Sequence, residues 1–207
     1  MSRTNPTRWL TLFDGSSLGK WAISADGMEI DGDTLVFSGK AAKAEVGGMS
    51  WDNYVLGADV MITPRTAKPR FCVQLTASGT CIYCQLMPWH IRIAYYCARP
   101  KKHPAGFTHL ITPVPVTPRA RKWLAFQMRA ENGRLTALLD GKKVAAANIP
   151  DGTAGMPGFL INQQKDCVVR LRNIRIKFLR PTRKQMLELA RDAQINWLRY
   201  EESQRRR

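Results

Sequence analysis

The sequence predicts an all-β fold, an antiparallel β-sandwich followed by a C-terminal amphipathic α-helix. Short apolar or alternating runs fill the chain from about Trp9 to Leu179, and clusters of Gly, Pro, Asn and Asp separate them at short intervals. Three of those separators carry hairpin chemistry: Ala-Ser-Gly at 77–79, Glu-Asn-Gly at 131–133 and Asp-Gly at 140–141. Gly and Asn supply the positive φ that tight strand connections need. After Pro181 the hydrophobic period changes to that of a helix. Many short strands with frequent turns lead to a sandwich or a barrel.

Taken in order, the strands are expected at Thr34–Ser38, Asn53–Ile62, Phe71–Leu75, Cys81–Met87, Ile91–Cys97, Trp123–Arg129, Leu135–Leu139, Gly158–Gln163 and Val168–Phe178. Segment 98–122 breaks the pattern with Pro100, Pro104, Pro113, Pro115, Pro118 and six Lys and Arg. Proline removes ladder donors, so this stretch reads as a long loop or an edge segment. At the far end, Thr182 with Gln185 three residues on makes a capping-box signature. Met186, Leu189, Ala190, Ala193, Trp197 and Tyr200 then form one apolar stripe. That stripe docks on the parent domain or serves a protein partner or self-association. The expected organisation is an arm at 1–8, the sandwich at 9–179, and a basic helix and tail at 180–207.

Charge sets the partners. The 207 residues hold 32 Lys and Arg against 16 Asp and Glu, a net charge of +16. Such an excess attracts a glycan or other anionic polymer, or nucleic acid. Eleven of the cations, and no acid at all, lie between Asp59 and Glu131. Arg99, Lys101, Lys102, Arg119, Arg121 and Lys122 are therefore the candidate polyanion-binding residues, set against the alternative of a solubilising charge distribution. Five cysteines, an odd number without a small-domain framework, read as thiols of a reducing compartment. The amino end lacks an apolar signal run and no stretch has the length of a membrane span, so a cytoplasmic protein with no membrane partner is expected.

Residues 71–97 are the most informative. Side chains alternate across a sheet. One parity (Phe71, Val73, Leu75; Ile82, Cys84, Leu86; Ile91, Ile93, Tyr95, Cys97) is core. The other presents Gln74, Tyr83, Gln85, Arg92 and Tyr96 among Cys72, Cys81, Met87, His90 and Ala94. Amides and guanidinium give oriented hydrogen bonds to hydroxyls, and tyrosines give apolar faces with a polar tip. Gln74, Tyr83, Gln85, Arg92 and Tyr96 are thus the candidate ligand-binding residues. The competing reading is an ordinary solvated face.

Leu12-Phe13-Asp14-Gly15-Ser16-Ser17-Leu18 with Trp21 resembles the opening of the 3-keto-disaccharide hydrolase-like domains. Asp31-Gly32 with Leu35, Asp52-Asn53-Tyr54-Val55-Leu56, Leu139-Asp140-Gly141 and Leu171-Arg172-Asn173-Ile174-Arg175-Ile176 extend the likeness over about residues 9–178. The resemblance implies a concanavalin-like jelly roll that acts on glycans. It also implies a Tyr-Glu-x-Gln run in a central strand, where Gln85 takes the place of that Gln and Tyr83 the place of the Glu.

Glycoside hydrolysis normally uses two carboxylates flanking the bond. The meander has none, and Glu29, Asp31, Glu45 and Asp59 could converge from elsewhere but show no paired spacing. The catalytic residues therefore stay unassigned. No metal or cofactor is called for. Cys81-x-x-Cys84 sits at odd separation within one strand, which sends the thiols to opposite faces, and Gly47-Gly48 lacks the Lys and helix of a phosphate loop. Three readings remain: a glycan-recognition module without hydrolytic chemistry, an active 3-keto-glycoside hydrolase, and a basic scaffold for a polyanion.

Overall fold

The structure is a computed structural model that describes residues 9–15, 22–25, 27–38, 41–45, 51–63, 70–77, 80–87, 90–97, 106–116, 121–150, 152–162 and 168–179. Two sheets of eight strands each make up the described chain, and every pairing in them is antiparallel. The expected helix over 182–204 lies outside the described residues.

The first sheet takes β3 (Met28–Asp31), β4 (Thr34–Phe37), β6 (Tyr54–Thr63), β12 (Leu124–Glu131), β13 (Arg134–Leu139), β14 (Lys142–Asn148) and β16 (Val168–Phe178), in the order β14-β13-β12-β6-β16-β4-β3. The short β1 (Leu10–Thr11) adds to β16. Asn132 and Gly133 both have positive φ (49° and 71°), as do Asp140 and Gly141 (49° and 76°). These two-residue turns join β12 to β13 and β13 to β14, as the sequence predicts.

The second sheet takes β2 (Ala22–Ala25), β5 (Ala41–Glu45), β7 (Arg70–Ala77), β8 (Thr80–Leu86), β9 (His90–Cys97), β10 (Gly106–His109) and β15 (Met156–Asn162), in the order β10-β9-β8-β7-β15-β5-β2. β11 (Val114–Pro115) adds to β9. The Pro-rich segment is thus an edge in part: β10 and β11 both pair with β9, while 98–105 and 117–120 lie outside the described residues.

Between the sheets lies one core. The first sheet contributes Leu35, Phe37, Tyr54, Leu56, Val60, Phe126, Met128, Leu171, Ile176 and Phe178. From the second come Ile82, Cys84, Leu86, Ile91, Ile93, Phe159 and Ile161. At one end Trp51 meets Phe178 edge-on, their ring centroids 5.0 Å apart. Burial of Ile82, Cys84, Leu86, Ile91, Ile93 and Tyr95 bears out the inward parity of β8 and β9, and it fixes which side chains these two strands turn outward; the side chains of Phe71, Val73, Leu75 and Cys97 lie outside those described. Among the described residues no helix is long and apolar enough to cross a membrane.

Candidate functional site

The outer face of the second sheet is built by register. Tyr83 stands opposite Gln74 on one side and Ala94 on the other, and Ala94 in turn stands opposite His109. Gln85 stands opposite Cys72 and Arg92, and Cys81 opposite Tyr96. The expected ligand-binding positions therefore fall on three strands of one face. Arg92 donates through Nε to Gln85 Oε1 across the β8–β9 pair. This charge-assisted bond holds the guanidinium in one orientation.

The face is less open than alternation alone implies. Gln85 is only 4% exposed and Ala94 is fully buried, while Tyr83 and Arg92 are half-buried and Tyr96 is 44% exposed. A floor of buried polar and small groups thus lies beneath partly exposed tyrosine and arginine. His90, also half-buried on this face, has its pKa lowered by burial first and then by the positive charges of Arg92 and His109.

Continuing across the sheet, the row through Tyr83 and Gln74 reaches Gly158 on β15 and Glu45 on β5. This is the finding that sequence spacing does not reveal. The second sheet has one carboxylate in its described strands, Glu45, and it shares a face and a row with Tyr83. Three strand spacings separate the two backbones, roughly 14 Å. Glu45 is 8% exposed, and Lys43, two residues away on the same face, meets its Oε2 at 2.8 Å.

Gly158 makes this arrangement possible. A Cβ there would collide with the Ala44 carbonyl oxygen and stand 3.0 Å from Glu45 Cγ. The bare backbone of β15 leaves the space over which the glutamate side chain lies. Glu45 is hard to find in the sequence because Ala41–Glu45 reads Ala-Ala-Lys-Ala-Glu, a composition poor in the β-branched and aromatic residues that mark strands.

Of the expected polyanion residues, Arg121 and Lys122 are exposed, whereas Arg99, Lys101, Lys102 and Arg119 lie outside the described residues. Cys81 and Cys84 leave β8 on opposite faces, Cys84 into the core.

The 3-keto-alpha-glucoside-1,2-lyase-like domain model matches residues 8–177. The chain belongs to that family. The match spans nearly all the described strands. The jelly roll is shared with solved structures at low identity. The carbohydrate-binding module CBM66 from Bacillus subtilis has a TM-score of 0.60 at 11% identity, over 76% of this chain and 95% of that one. The Crh5 transglycosylase in complex with NAG gives 0.60 at 11%, over 84% and 85%. LamAcat from Zobellia galactanivorans gives 0.56 at 9%, over 76% and 90%. These likenesses establish the jelly roll. A search among curated proteins finds no match.

Proposed function

We propose that this lyase-like domain recognises a glycan on the outer face of its second sheet, and that it holds sugar without hydrolysing it. The observation that carries the reading is the bonded Gln85–Arg92 pair, one outward row beyond Tyr83 and two beyond Tyr96 on a face the core does not use. An amide and a guanidinium fixed by each other present donors and acceptors at set angles, and two tyrosines offer rings for the apolar face of a pyranose. Membership of a family named for its likeness to a 3-keto-alpha-glucoside lyase supports a sugar as the ligand. Glu45 and Lys43 neutralise one another at the far end of the row, and the Gln85–Arg92 pair is suited to the hydroxyls of a neutral sugar.

Hydrolysis by a carboxylate pair finds no support, because the described strands of this sheet carry one acid, itself ion-paired and largely buried. One observation favours a second reading. A 1,2-elimination beside a keto group removes a single proton and needs one base, and Glu45 is the carboxylate in place.

A panel of neutral oligosaccharides and 3-keto-glucosides, titrated into the full chain with product analysis of the same samples, tests both readings. Binding without turnover is expected, and the double variant Tyr83→Ala/Arg92→Ala should weaken it by more than about tenfold, the cost of losing one charge-assisted bond and one ring contact. No sugar bound at millimolar concentration would remove the proposal. Turnover that disappears in Glu45→Gln would replace recognition by catalysis.

A further inference from the structure

The opposite face of the sandwich holds a different surface, formed by an irregularity in β16. Its sequence, Val-Val-Arg-Leu-Arg-Asn-Ile-Arg-Ile-Lys-Phe, would send Arg170 and Arg172 to one face and Arg175 and Lys177 to the other if the strand were regular. It is not regular. The register against β6 runs Arg170↔Met61 and Arg172↔Asp59, then resumes at Arg175↔Gly57 and Lys177↔Val55, with one extra residue on β16. Asn173 takes up the bulge at φ 50° and donates through Nδ2 to Asp59 Oδ2 at 2.6 Å. All four cations therefore share the outer face of the first sheet, while Leu171, Ile174 and Ile176 stay in the core.

Two tryptophans hold this stripe in order. Arg172 lies 4.2 Å from the ring centroid of Trp123, and Arg175 lies 4.7 Å from that of Trp9. Gly57, opposite Arg175, leaves room beneath Trp9, whose ring would stand 3.8 Å from a Cβ there. Stacked guanidinium groups lose little further freedom when an anion arrives. The face also accepts carboxylates already: Arg129 meets Glu131 at 2.6 Å and Arg172 approaches Asp59 at 3.6 Å. Among the described residues no ion pair engages Arg170, Arg175 or Lys177. Each tryptophan carries an arginine over its ring, which leaves less aromatic surface for the stacking of unpaired bases.

We infer that the outer face of the first sheet is a second binding surface, which takes a uronate-bearing polysaccharide through Arg170, Arg175 and Lys177. It is separate from the neutral-sugar face across the core, and it differs from the loop cations that composition alone suggests.

The test is binding of the full chain to polygalacturonate, with dextran sulfate, dextran and single-stranded DNA as parallel arms over a salt series. Polygalacturonate should bind, weaken steeply with salt, and lose about tenfold in affinity in Arg170→Ser/Arg175→Ser. The single change Lys177→Ser should lose about threefold, which keeps the test available if the double variant melts early. Tyr83→Ala/Arg92→Ala and Arg121→Ser/Lys122→Ser should bind polygalacturonate as the parent does. Full binding by the β16 variants, loss of binding in the Arg121/Lys122 variant, or tighter binding of dextran sulfate or DNA than of polygalacturonate would overturn the inference.

Discussion

His90 and Arg92 sit two residues apart on the same outward face of β9, and the arginine that orients the proposed sugar site also acts on the histidine. Burial and then the Arg92 charge disfavour the imidazolium, so His90 titrates below the ordinary histidine value. As pH falls, the unfolded chain takes up this proton before the folded one does, so the contribution of neutral His90 is complete above the ordinary histidine pKa and is lost as pH falls through the lowered native pKa. An NMR titration should place the His90 midpoint below that of a model peptide. Arg92→Gln should move it part of the way back, because burial, the larger cause, remains. A His90 midpoint at or above the peptide value would contradict this reading. Elsewhere, the Tyr54 hydroxyl is buried without a hydrogen-bond partner among the described residues, and burial, with the Asp52 charge second, drives its pKa well above that of a free tyrosine.

At the scale of elements, Gly158 in β15 decides how closely β5 can approach and where Glu45 lies. Gly158→Ala puts a methyl group against the Ala44 carbonyl and Glu45, a contact whose relief costs about 1–3 kcal/mol by analogy with overpacked cores. A lower melting temperature is expected, with weakened sugar binding because Glu45 and Lys43 are displaced; a variant as stable as the parent and unchanged in binding would show that the β5–β15 contact does not shape the site. The same strands mark the limit of what residue patterns disclose. The meander was legible because its apolar positions alternate cleanly, and β16 was legible as a strand because of its length. β5 was not, since alanine gives no period. β10 and β11 were hidden by proline, and pair only at the edge beside β9. The bulge at Asn173 could not be read either, because a one-residue register shift leaves no composition signal, yet it alone decides which face Arg175 and Lys177 join.

Over the whole molecule, two sheets share one core and turn chemically different faces outward. One pairs a single acid with a lysine and an amide with an arginine among tyrosines; the other aligns cations over tryptophans. Membership of the lyase-like family was legible in the Leu-Phe-Asp-Gly opening and the closing strand, because turn and strand signatures lie close together in sequence. The site was legible only in its β7–β9 part, since Glu45 joins it through strand pairing with residues more than a hundred positions away. Hydrogen–deuterium exchange of the full chain, with and without a saturating neutral oligosaccharide, tests the central claim most directly. Slowed exchange should fall on the second sheet, chiefly on Thr80–Leu86 and His90–Cys97, with β16 unchanged. Protection that falls on Val168–Phe178 and leaves β8 and β9 as they were would contradict a sugar site on the second sheet.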